Sequence, residues 1–470
     1  MKAARIAVIG GYMPFFDPIM PTGYRAGRDA FVRQVAGLFH DLGHVDYLGL
    51  VDSFESGMAA GRAITALAAD MAVIVPSMAC PAGYIEAVLS DRPDMPVVIA
   101  SLAEIERIPR SYDMPDLCHH SGHVGALMAA NILHRAGRRP SIIAGSLSDP
   151  GVRARLTETV RAAALAGRLR KLRVGRLGRP LDGYENVDLD DAIVHEKLGV
   201  TLVSIEHTEW VDAVCSVTIQ DRDKVLESLG LWFLCDEDVG SPDLEAALKV
   251  AVALDSVVDR HGLDAGAINC RGDWGVAEPR IASLACLGLT VMAARGVPFA
   301  CTGDVSTALA LWLGRQAGGA SLYCELDAVD IEQNAFFCSN TGEADPAWLA
   351  EGAYCSVFSA GSHSGRPSPG CCVSQRLRTG PATMVGFSPD RRRSEGFVLC
   401  SLEGEVTGTP QVALPVTSAW FRPQGGAPYR SFEAWAEAGA THHGSLSPGH
   451  LSTLLAGVAC HAGIAFEPIV

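Results

Sequence analysis

No two of the fourteen cysteines stand in a C-x-x-C spacing, and the nearest neighbours, Cys371 and Cys372, are adjacent. A zinc ribbon and a thioredoxin-type motif are therefore excluded. There is no Walker loop and no G-x-S-x-G elbow, and Gly10-Gly11-Tyr12 lacks the G-x-G-x-x-G spacing of a dinucleotide site. Positive charge is scarce: 38 basic against 53 acidic residues leave a net charge of −15. Bulk charge thus opposes binding to nucleic acid or to an anionic membrane. Long apolar runs are missing as well. The longest uncharged apolar stretch, 281–294, is shorter than the roughly 18–20 residues needed to span a bilayer. The apolar run Ile6–Ile9 is too short for a secretory leader and reads as a buried strand. Cysteines such as Cys270, Cys301 and Cys324 lie in apolar surroundings as small hydrophobes, which suits a reducing, cytoplasmic compartment.

What is present is a globular composition, 48% hydrophobic and 19% charged, over 470 residues. That length accommodates about two to four domains. The strand-like runs 5–9, 71–75 and 96–100 alternate with helical patterns over 29–42 and 57–69, the rhythm of a parallel sheet covered on both faces. A second α/β unit is expected from Ser141, with strands over 141–145, 169–174, 201–205, 265–270, 299–304 and 320–326 and helices over 152–166, 243–261 and 305–315. After Pro346 short strands alternate with Gly, Ser and Pro, which favours an antiparallel barrel or sandwich closed by a helix over 447–459. The expected architecture is therefore two doubly wound α/β domains, 1–140 and 141–345, followed by a β-rich, barrel-like domain, 346–470.

The segment Cys301–Glu343 is richest in candidate chemistry. Asp304 follows a predicted strand and precedes a helix, the carboxyl edge where open α/β sheets build sites, although a helix cap explains it equally. Glu325 ends the next predicted strand, and two such carboxylates can share a divalent metal or divide acid and base roles. His119, His120 and His123 cluster before a helix, His363 lies in a Gly/Ser-rich loop, and His442-His443 open a Gly-rich turn. The run Arg391–Arg393 reads as a solvated loop.

In this order, Cys301-Thr302-Gly303-Asp304-Val305, the stretch from Gly318-Gly319 to Glu325, Cys338-Ser339-Asn340, the segment from Arg366-Pro367 to Leu377 and Ala440-Thr441-His442-His443 resemble the L-arabinose/L-fucose isomerase family over nearly the whole chain. The resemblance implies a metal-dependent aldose–ketose isomerase working through an enediolate, with Mn²⁺ as the typical ion and active sites assembled between subunits of a homo-oligomer. It implies Glu325 as metal ligand and proton shuttle, His443 as metal ligand, and Asp304 as a catalytic or supporting carboxylate. His123 matches a residue that reaches a neighbouring subunit's substrate, and Asn340, His363 and Thr302 stand near the substrate. Thr302 occupies the place of the family's other metal-binding glutamate, so Asp304, Asp327 or Glu343 compensates or the chemistry differs. A histidine common in the family is replaced by Phe337 or Asn340. The alternatives are decarboxylation, epimerisation or C–C cleavage of a sugar acid held by Arg25, Arg28 or Arg271, and a non-catalytic carbohydrate-binding protein.

Overall fold

The computed structural model describes residues 3–237, 239–340, 342–361, 368–408 and 412–470. The chain divides into two compact units, one of Lys2–Arg170 with Ala456–Ala462, the other of Lys171–Leu455 with Gly463–Val470.

The first unit is built on five parallel strands: β1 (Ala4–Gly11), β2 (Gly43–Val51), β3 (Met71–Pro76), β4 (Val97–Ala103) and β5 (Ser141–Ser146), in the order β2-β1-β3-β4-β5. β1, β3 and β4 are buried almost throughout, which is why they are continuous Val/Ile/Ala runs without polar alternation. Helices Tyr24–Gly37 and Pro150–Leu169 bury one face of the sheet, through Phe31, Val32 and Val35 and through Val152, Leu156 and Val160. The other face packs on Ile64, Ile85, Val88 and Leu133 from three further helices. Helix Pro150–Leu169 crosses the sheet closely at Gly167, where a Cβ would stand 1.9 Å from the Asp70 carbonyl oxygen.

The second unit starts with β6 (Arg173–Leu177) and β7 (Thr201–Ser204). Beyond the short β8 (Phe233–Cys235), β9 (Ala265–Ile268) and β10 (Phe299–Ala300) join them in a parallel sheet of order β10-β9-β6-β7. The sequence places a strand over 169–174, but Leu169 is the last residue of a 20-residue helix and pairing begins at Arg173.

The expected strand over 320–326 is β11 (Leu322–Asp330), and it does not join the parallel sheet. It pairs antiparallel with β12 (Ala335–Ser339) and belongs to a ring with later strands. β13 (Cys355–Ser359) and β14 (Cys371–Gln375) form a separate three-stranded sheet with β8. β15 (Gly380–Pro389), β16 (Phe397–Thr407), β17 (Ser418–Pro423) and β18 (His443–Pro448) complete the ring in the order β15-β18-β11-β12-β17-β16, which closes through β15–β16 pairing. Every contact around it is antiparallel, and β19 (Ala465–Ile469) adds to β16 in parallel. This is the barrel expected from the Gly- and Pro-punctuated C-terminal pattern.

Alternation along β11 and β18 positions the site. Leu322, Cys324 and Leu446 join Phe336, Met384, Cys400 and Phe421 in the barrel's apolar interior. The intervening Tyr323, Glu325, His443, Ser445 and Ser447 therefore point to its outer side. Helix Val305–Gly318 covers that side, with the parallel sheet on its other flank, so it is buried round nearly its whole circumference. Gly314 permits the approach: a Cβ there would stand 2.1 Å from the Ser447 Oγ and 2.7 Å from the Ser445 Oγ. The closing helix runs over Ser452–Ala462 and not from 447, because Ser447 and Pro448 are committed to β18. Among the described residues all fourteen cysteines are free thiols, and no helix is long and apolar enough to cross a membrane.

Candidate functional site

Past β10 the chain turns sharply through two successive residues in the left-handed region, Thr302 at φ 55° and Gly303 at φ 76°. Glycine is required at 303, where a Cβ would lie 2.8 Å from the Arg179 carbonyl oxygen. Thr302 is a β-branched residue in a conformation such residues seldom adopt, a form of strain that clusters at functional sites. The turn delivers Asp304 as the cap of helix Val305–Gly318, where Oδ1 accepts from the Thr307 amide at 2.8 Å and Oδ2 from the Thr307 hydroxyl at 2.6 Å.

Asp304 is more than a cap. It is fully buried, and its Oδ2 also lies 2.8 Å from Nδ1 of His443, the first residue of β18. His443 therefore does not open a turn; its backbone is in the barrel. The β11–β18 register puts Glu325 directly opposite it, with Nε2 of His443 3.1 Å from Oε1 of Glu325. Burial opposes charge on this ring, but hydrogen bonds to Asp304 and Glu325 outweigh it and push its pKa up to about 9. Each ring nitrogen thus faces a carboxylate. The same hydrogen bond to His443 holds Glu325 below the usual carboxylate range, with smaller help from the charges of His442 and Arg271.

His442 stacks close on His443, with ring centroids 3.7 Å apart, and its Nδ1 lies 3.2 Å from Nδ2 of Asn186. Burial, and then the charge on His443, lower its pKa. One ligand atom each from Glu325, His442 and His443 lie within 4.8 Å of one another, the one such group of three among the described residues. Two imidazoles and a carboxylate suit a divalent ion such as Mn²⁺, Fe²⁺ or Zn²⁺, and Asp304 supplies the outer hydrogen bond that fixes which nitrogen of His443 can ligate. The residues present fit a bound metal.

The outer wall comes from the loop after β6. Tyr184 packs edge-on against His442 at 5.4 Å, and Tyr323 lies against His443 at 4.7 Å. The Tyr323 hydroxyl is buried next to the Thr302 side chain, and burial drives its pKa well above the usual value. Tyr184, Asn186 and Tyr323 were not singled out from the sequence. Strand alternation from Glu325 marks Tyr323, whereas nothing in the local pattern marks the two loop residues.

The other expected site residues are placed as follows. Asn340 is buried, but both ends of its amide are used in its own turn, donating to the Glu343 carbonyl at 2.6 Å and accepting from the Gly342 amide at 3.0 Å. The Thr302 hydroxyl donates to the Cys301 carbonyl oxygen at 2.8 Å. Asp327 is the extra residue of a bulge in β11, and burial raises its pKa. His363 lies outside the described residues. In the first unit, Arg25 pairs with Asp52 and lies over the Tyr12 ring, and the buried Arg28 is gripped by Glu104. His119 also contacts Glu104 at 3.4 Å, His120 stacks on Tyr112, and His123 shares a 2.6 Å hydrogen bond with Ser101.

No family model matches the chain. Over 199 residues it is 26% identical to the sulfoquinovose isomerase of Clostridium sp. (strain MSTE9), a match spanning 42% of this chain and 43% of that protein. The match thus covers less than half the length of that relative. It places the chain in a distant relationship to a sugar isomerase.

Proposed function

We propose that this chain is an aldose–ketose isomerase acting on a sugar or sugar derivative, with a divalent metal, Mn²⁺ by the family resemblance, held by Glu325, His442 and His443. The observation that carries the reading is the imidazole of His443, clamped between buried Asp304 and Glu325 with His442 beside it. The similarity to a sulfoquinovose isomerase points the same way.

When bound, the metal would supply a positive charge to neighbouring oxygens of the open-chain sugar, favouring negative charge on them as a carbon proton leaves. Glu325, held ionised by its neighbours, is the group that takes this proton from one carbon and returns it to the next. Asp304 faces Nδ1 of His443 through Oδ2 and orients the ring. Tyr184 and Tyr323 exclude water from the histidine faces.

Thr302 favours a second reading. Its neutral hydroxyl cannot act as a base near neutral pH, so one proton-transfer partner of the isomerase chemistry is missing at that position. Decarboxylation or C–C cleavage of a sugar acid needs fewer such partners, and epimerisation, the third alternative, would need one on each face of the carbon. In the same proposal the protein is cytoplasmic and homo-oligomeric, with His123 facing a neighbouring copy's substrate and Arg25 a candidate for an acidic one.

Incubation with aldoses in D₂O, followed by NMR, tests the reading. Deuterium at C2 and appearance of the ketose, abolished by chelator and restored by Mn²⁺, support it. A folded, metal-loaded protein that exchanges no proton with any aldose or ketose overturns it.

A further inference from the structure

Three loops interlock at the carboxyl edge of the β6–β9–β10 sheet. The Asn269 amide donates to the Leu177 carbonyl at 2.9 Å, and its side-chain Nδ2 donates to the Arg179 carbonyl at 2.9 Å. The Gly303 amide donates to the Ile268 carbonyl at 3.1 Å. These bonds bring Arg179 and Arg271, each just past a strand end, to the edge that carries Thr302 and Asp304.

The two arginines are unusual in their surroundings. Arg271 is exposed and makes no ion pair or hydrogen bond among the described residues. Its charge is felt by Glu325 and Glu343. Glu325 is committed to His443 and Asp304 to His443 and Thr307, so neither neutralises it. The Arg179 side chain is 81% exposed, and its nearest carboxylate, Asp188, stands 3.7 Å away. A sugar hydroxyl can accept from a free guanidinium but leaves its charge unpaired, whereas a terminal oxyanion matches both the charge and the planar fork of donors.

We propose that Arg271, assisted by Arg179, is the specificity-determining group that binds a terminal oxyanion of the substrate, so that the site takes anionic sugars in preference to neutral ones. The inference rests on the isomerase reading and deepens it. Sulfonate and carboxylate offer the same chemistry to the guanidinium, and substrates of one configuration distinguish them.

The test compares sulfoquinovose, glucuronate and glucose with the metal-loaded full chain and its Arg271→Met, Arg271→Lys and Arg179→Met variants. The expected result is a preference for one or both anionic sugars. Arg271→Met should raise KM for the anion about 10- to 100-fold and change KM for glucose far less, with partial recovery for the anion in Arg271→Lys. An unchanged KM for the anion, or an equal loss on glucose, overturns the proposal while the isomerase reading stands. If none of the three sugars is turned over, the isomerase reading is what fails for them, and methanesulfonate binding decides the anion site by calorimetry at constant ionic strength. Binding to wild type that is lost in Arg271→Met supports the site, and no binding, or equal binding to both, overturns it.

Discussion

The imidazole Nδ1 of His443 lies 2.8 Å from Oδ2 of Asp304, a residue 139 positions earlier, and both side chains are buried. Asp304 thus joins a helix start to a barrel strand and decides which nitrogen of His443 is left for a metal. Asp304→Asn keeps a capping oxygen and removes the charge. Metal affinity should fall about 10- to 100-fold, the usual cost of losing such an outer partner. Metal titration alongside thermal melting checks this, and unchanged affinity in the variant would show that Asp304 acts as a cap alone.

Glu325→Gln removes the proposed ligand oxygen and the proposed base while preserving the strand. Turnover and C2 deuterium exchange should fall at least about 100-fold, and elemental analysis should show metal lost from the purified protein. A variant that retains full exchange would transfer the proton shuttle to another residue.

Gly314→Ala should damage the site from a distance. The added methyl would meet the Ser447 Oγ at 2.1 Å, forcing helix Val305–Gly318 away from β18. Overpacking of this kind costs about 1–3 kcal/mol, and the displaced helix carries Asp304 with it. Denaturant unfolding and metal affinity should fall together. Gly27→Ala, which meets nothing within 4 Å, serves as the control with neither effect.

His461 sets an acid limit on stability. It is buried against Ser141, with 2.9 Å between Nε2 and Oγ, and burial lowers its pKa to about 4. Between pH 6.5 and 4 the unfolded chain takes up a proton that the folded chain refuses, so stability falls with decreasing pH across that window and levels off below it. The loss amounts to about 3 kcal/mol. His461→Gln should flatten this part of the stability–pH profile, and a slope unchanged in the variant would assign the effect to other groups.

The barrel was legible because turn residues punctuate short runs after Pro346, and the parallel strands because burial on both faces leaves them purely apolar. The placement of β11 was not legible: Leu322–Asp330 follows a helix as a parallel strand would, and only pairing with β12 and β18 shows where it belongs. Glu325, Asp304 and His443 could be named singly, from strand ends and a histidine pair. Their mutual contact depends on strand register, which local periodicity does not encode. Asn340 shows the converse, since a polar residue beside candidate chemistry spends its amide on its own turn. Tyr184 and Asn186 come from an irregular loop whose path is decided by what it packs against.

Closure of the β15-β18-β11-β12-β17-β16 ring bears on how the site fails. An edge strand of an open sheet can slip by two residues at the cost of bonds on one side. Here β11 and β18 are each paired on both sides, so any slip that parts Glu325 from His443 must also break their outer neighbours. Partial melting therefore has no intermediate register to occupy. Loss of metal on heating should coincide with loss of the barrel in one all-or-none step, and stabilising any of the six strands protects the histidine clamp even where the substitution is remote from it.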